Sequence, residues 1–158
     1  MVLTAEIFIA GASDRAGGVQ RVCEQFDLPV FSGAEVALKA NYNSADPPPA
    51  CTHIDTLDAL CTAILAEKPK KLTLAERSGM GITRSVLEER GVIALAKERG
   101  FSAVVLDELD RTGWREVQDA GMHWSRGFFI AAFFPGLIAW SRPAASRPTG
   151  SGEISPCH

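Results

Sequence analysis

Lys39, Asn41 and Asn43 alternate along the stretch "KANYN", and beyond a proline cluster Thr52 and His53 stand where a helix is expected to open. A lysine supplies a mobile positive charge, two amides supply donors and acceptors, and a helix start adds unpaired backbone N–H groups. Together they suit a small anionic ligand. The plainer alternative is that the asparagines make turns and His53 lies beside a helix cap. A metal is not expected at His53, because no second histidine or carboxylate stands four residues on.

Glu76 and Ser78 open the loop "ERSGMGIT", whose two glycines before a helix are able to offer backbone amides to a phosphate or carboxylate. The loop lacks both the Gly-Lys-Ser/Thr ending of a phosphate loop and the spaced glycines of a dinucleotide fold. An ordinary turn with Thr83 as N-cap stays open beside the ligand reading. Glu76, Asp107, Glu108 and Asp110 are able to hold a divalent cation or act as acid and base if their strands are neighbours, and solvated strand ends explain them equally. His123, between Met122 and Trp124, reads as a structural imidazole, and Cys51 beside Thr52 and His53 as sequence neighbours that do not face one another. The candidate ligand-binding set is therefore Lys39, Asn41, Asn43, Thr52, His53, Glu76 and Ser78, with no catalytic residue and no metal ligand assigned.

What positions these groups is an alternation of strands and helices. "AEIFIAG" is a continuous apolar run of strand length, and "SDRAGGVQRVCEQFDL" repeats Val19, Val22, Cys23 and Phe26 at helical spacing. "AEVALKAN" alternates as a second strand. Ile54, Leu57, Leu60, Cys61, Ile64 and Leu65 then share a helix face, with Thr52 or Asp55 as its cap. "KLTLAE" is a third strand, a helical stretch from Arg84 to a stop at Gly100 follows, and "FSAVVLDE" is a fourth. Strands separated by helical crossovers make an α/β fold with an open, mainly parallel sheet, whose ligands bind beyond the carboxyl ends of the strands. The candidate residues fall at those ends. "LDRTGWREVQDAGMHWSRGFFIAAFF" mixes turn residues with aromatics, has no clear period until its apolar end and reads as irregular.

One domain is expected from 158 residues that are 46% hydrophobic and 22% charged. Sixteen basic against 19 acidic residues leave a net charge of -3 and no basic stripe, which argues against nucleic acid and anionic membranes as partners. The start "MVLTAEIFIAGASDR" carries neither a signal-peptide pattern nor a membrane helix, so a cytoplasmic location is expected. Cys23, Cys51, Cys61 and Cys157 are scattered without a CxxC pair, against zinc, iron–sulfur and disulfide frameworks. Oligomeric state is not readable.

"VALKANYN…PPACTHIDTLDALC", "TLAERSGMGITRSVLEERGVIALAKERG" and "VVLDE", in that order, resemble the iron–sulfur-associated proteins classed as domain of unknown function 362. The resemblance spans roughly Ala34 to Phe129. It implies a strand ending in a Lys-Pro-Asn element, a Thr-His-Pro-like helix opening and a Gly-Glu-x-Ser/Gly loop, with the family's activity undetermined. Here Ala40, Ile54 and Ala75 replace the family's proline, proline and glycine. Members often carry a separate cysteine-rich ferredoxin-type module; nothing of that kind is in this sequence, and no cluster is expected on it. Two alternatives stay beside an α/β protein of that family with a strand-end anion or metal site: a non-catalytic, flavodoxin-like binding module, and a truncated gene product without a function of its own.

The chain divides at residue 134: 1–134 is read as a partial α/β domain, incomplete at its C-terminus, and 135–158 as a disordered tail rich in Pro, Ser, Gly and Ala. The tail is expected to be a frameshift product. With codons freely chosen for Gly136 to His158, a one-base shift allows "ADCVVQTCCLKTHRFGGDFTLP", a buried-strand pattern followed by a Leu-Lys-Thr-His element like the family's own continuation.

Overall fold

The computed structural model describes residues 6–11, 13–117, 127–134 and, for their backbone, 138–139. His123 and all of the segment 135–158 except residues 138–139 lie outside the described residues.

Three consecutive strands, β1 (Glu35–Leu38), β2 (Lys71–Glu76) and β3 (Ser102–Val105), run parallel in the order β3-β2-β1. The crossover from β1 to β2 is α2 (Ile54–Ala66), and that from β2 to β3 is α3 (Thr83–Glu89) with α4 (Val92–Arg99). A helix α1 (Arg15–Cys23) precedes β1 and packs on α2. After β3 the chain forms an antiparallel hairpin, β4 (Trp114–Val117) with β5 (Phe128–Ala131), and the two-residue β6 (Ile138–Ala139) pairs with β1 at Val36 and Ala37. No helix among the described residues is long and apolar enough to cross a membrane.

The register decides which residues meet the helices. Val36 pairs with Leu72 and Leu38 with Leu74, so one sheet face presents large aliphatic side chains, while Ala37 opposite Thr73 puts small ones on the other. The aliphatic face joins Leu57, Cys61 and Ile64 of α2 with Leu87, Val92 and Leu95 of the second crossover in one core. Fully burying a leucine or valine of this kind contributes about 1.5–3 kcal/mol, which fixes the strand ends relative to one another. The second crossover, one stretch in the sequence, splits at Gly91, whose φ of 75° is left-handed and ends α3 before α4 begins. Gly100, φ 77°, ends α4 in the same way.

Two expectations are corrected. The run "AEIFIAG" is not a strand: residues 6–11 are irregular, with Ile7 82% and Ile9 92% exposed and Phe8 edge-on to Phe26 at 5.8 Å. Both sides of β1 are already taken, by β2 and β6, and local β-propensity without a neighbour to bond does not make a strand. The aperiodic stretch after β3 is in part a hairpin, begun by a tight turn in which Asp110 Oδ1 accepts from the backbone N–H groups of Thr112 (2.9 Å) and Gly113 (3.0 Å).

Candidate functional site

Because β1 and β2 are adjacent and parallel, the chain leaves both at the same edge of the sheet, and Lys39 emerges beside Glu76. Lys39 Nζ donates to Glu76 Oε1 at 2.7 Å and Oε2 at 2.8 Å, and also to the Ala40 carbonyl. The partners differ sharply in environment: the Lys39 side chain is 65% exposed and that of Glu76 1%. Two backbone amides complete the carboxylate's shell, Arg77 N to Oε1 at 2.8 Å and Tyr42 N to Oε2 at 3.2 Å. A buried charge is tolerated when it is paired and hydrogen-bonded in this way.

The other candidates tie the loops of this edge together. Asn41 N donates to Thr52 Oγ1 at 2.9 Å while Thr52 N donates to the Asn41 carbonyl at 2.8 Å, and Asn41 Nδ2 reaches the Ala50 carbonyl. Across the edge, the Ser78 hydroxyl donates to the Tyr42 carbonyl at 2.6 Å, Gly79 N to Asn43 Oδ1 at 2.9 Å, and Met80 N to the Asn43 carbonyl at 3.0 Å. Ser78 N donates to Thr83 Oγ1. The amides of Ser78, Gly79 and Met80 are therefore engaged within the protein. Thr83 is the first residue of α3, and Ile82 takes the cap position.

His53 sits apart from this network. It is itself the N-cap of α2, in place of Thr52 or Asp55, with Nδ1 accepting from Asp55 N at 3.2 Å. That bond puts the imidazole proton on Nε2, so the 3.5 Å approach of Nδ1 to the Asp55 carboxylate is an ion pair only when the ring is doubly protonated. His53 lines the groove between α1 and α2 with Asp14, which caps α1 through its own side chain. The structure thus joins Lys39 to Glu76, Asn41 to Thr52, and Asn43 and Ser78 to the facing loops, and leaves His53 outside.

The remaining carboxylates of the edge are also engaged. Asp107 accepts from the Thr83 hydroxyl and from Arg77 Nε at 2.8 Å; the hydroxyl first and the guanidinium after it hold its carboxyl below the usual range, against the desolvation that opposes them. Glu108 is held low in the same sense by Arg84, whose Nε lies 2.6 Å from Oε1. Among the described residues no group of three or more His, Cys, Asp or Glu is placed to hold a metal ion. Cys23, Cys51 and Cys61 are buried thiols, and burial first, with nearby Asp58 after it, pushes Cys61 up to about 12, far from thiolate chemistry.

Tyr42 was not singled out in the sequence, although its place between Asn41 and Asn43 marks it as the inward residue of the alternation. It is 1% exposed, its hydroxyl has no hydrogen-bond partner, and burial raises its ionisation well above the ordinary tyrosine range. Arg77, which follows Glu76, and Arg111, in the turn before the hairpin, were missed as well, because nothing in their local spacing links them.

No curated protein and no solved structure matches the chain. A model of one protein family matches residues 36–135, from the second residue of β1 to just beyond the hairpin. That match takes in every strand-end residue described above and more than half of the 158 residues, and the chain belongs to the family described as Domain of unknown function (DUF362).

Proposed function

We propose that this chain is a non-catalytic binding module that receives a small anion at the carboxyl edge of its sheet, on Lys39. One observation carries the reading: the Lys39 side chain is 65% exposed while its partner Glu76 is 1% exposed, and Glu76, Asp107 and Glu108 each already accept from a basic or hydroxyl side chain. Committed carboxylates are poor general bases and poor metal ligands, while the solvent side of the Lys39–Glu76 pair is the cationic one and attracts negative charge. The anion takes the place of the Ala40 carbonyl on Lys39 Nζ, since a full negative charge adds Coulomb attraction to the ammonium that a neutral carbonyl lacks. Asn41, Asn43 and Thr52 form the polar surround, and Glu76 and Ser78 hold it in shape; His53, committed as a helix cap, is not part of the site.

Calorimetric titration of inorganic phosphate and of acetate into the whole chain tests this. Saturable binding that Lys39→Gln abolishes while the melting transition persists supports the reading. No saturable binding of either anion, or binding that Lys39→Gln leaves unchanged, overturns it.

A further inference from the structure

A second cavity opens at the same edge on the far side of β2, where the exit of β3 meets the hairpin, and it has a composition of its own. Its walls include Leu106, Leu109, Trp114 and Phe129, and its polar groups are Arg77, Asp107 and Arg111. Leu109 is held against the turn, since a Cβ on Gly113 would lie 3.0 Å from the Leu109 Cβ. Antiparallel pairing of Trp114 with Ala131 and of Glu116 with Phe129 puts Trp114 and Phe129 on one face of the hairpin as diagonal neighbours, within reach of aromatic side chains. Phe129 is 67% exposed, an uncovered ring beside a half-buried one.

The charges are uneven. Arg77 and Asp107 neutralise each other through Nε, although the Arg77 side chain stays 71% exposed, and Arg111 makes no ion pair among the described residues. The Asp110 side chain accepts from the Thr112 and Gly113 amides, so the turn that carries Arg111 is fixed. An unpaired guanidinium beside a flat apolar wall fits a ligand with one carboxylate and an aromatic body, because arginine pairs with carboxylates bidentately and rings stack offset or edge-on.

We infer that this cavity is a binding site for a small aromatic carboxylate, held by Arg111 and Arg77 at the carboxylate and by Trp114 and Phe129 at the ring. It does not depend on the Lys39 reading, since the two sites share no residue. The probe is 2-naphthoate, titrated calorimetrically into the whole chain, with neutral 2-naphthamide as the companion. Saturable 2-naphthoate binding is expected, weakened roughly tenfold or more by Arg111→Ala and several-fold by Phe129→Ala. Arg111→Ala should not change the weaker 2-naphthamide binding. Both variants alter exposed side chains, and a retained melting transition excludes unfolding as the cause. Absence of saturable 2-naphthoate binding, or an affinity that neither variant changes, would overturn the inference.

Discussion

The Lys39 ammonium lies 2.7 Å from one oxygen of Glu76 and 2.8 Å from the other, joining an exposed cation at the end of β1 to a carboxylate buried at the end of β2. The asymmetry sets what each partner's removal does. Lys39→Met leaves a buried charge with only two backbone donors and is expected to destabilise the fold by about 2–3 kcal/mol. Glu76→Gln keeps one of the two acceptors, turns its NH2 toward the other backbone N–H and releases a lysine whose side chain is already exposed, at about 1–2 kcal/mol. Urea unfolding of the two variants measures the order; Glu76→Gln emerging as the more damaging would contradict it.

Asn43 and Gly79 clip the two edge loops together. A Cβ on Gly79 would stand 2.5 Å from Asn43 Oδ1, so Gly79→Ala must push the amide aside, at about 1–3 kcal/mol. In the Asn43→Ala background the same change should be much milder, because the obstructing oxygen is gone. A double-mutant cycle reads this as strong non-additivity, and additive effects would argue against the clip.

Tyr42 has a buried hydroxyl without a partner, which carries a desolvation penalty that no bond offsets. Tyr42→Phe is therefore expected to leave stability unchanged or raise it by about 1 kcal/mol. Loss of more than 1 kcal/mol in a denaturant titration would mean that the hydroxyl is bonded in solution.

Acid should loosen the carboxyl edge. Asp107 and Glu108 titrate below their ordinary values in the folded protein, Asp107 chiefly through the Thr83 hydroxyl and Glu108 through Arg84. A carboxyl depressed on folding stabilises the protein above its unfolded value, near 4, and that contribution is lost as pH falls through the lower folded value. Unfolding midpoints should hold from pH 7 to about 5 and decline below about 4, and Asp107→Asn should flatten the decline. A midpoint that rises on acidification would contradict this.

Much of the sheet was legible because β1, β2 and β3 each end at a sharp chemical change: Leu38 to Lys39, Glu76 to a glycine loop, Val105 to an acidic turn. The periodicity of α2 is equally plain. Residues 6–11 misled because an apolar run carries no information about whether a neighbouring strand exists to bond it. The hairpin was hidden because β4 and β5 are four-residue strands, too short for alternation to rise above the turn residues around them. At the site, the nearness of Lys39 and Glu76 follows from strand adjacency. Burial of Glu76 and engagement of the Ser78 to Met80 amides depend on contacts between loops more than thirty residues apart in sequence, which local spacing does not encode.

Anion binding at Lys39 is measurable by following backbone amide signals of the isotope-labelled chain while inorganic phosphate is added. Saturable shifts are expected, concentrated in residues 39–43 and 76–79 and absent from Lys39→Gln. Shifts that are missing, that never saturate, or that centre on the groove between α1 and α2 instead would contradict it.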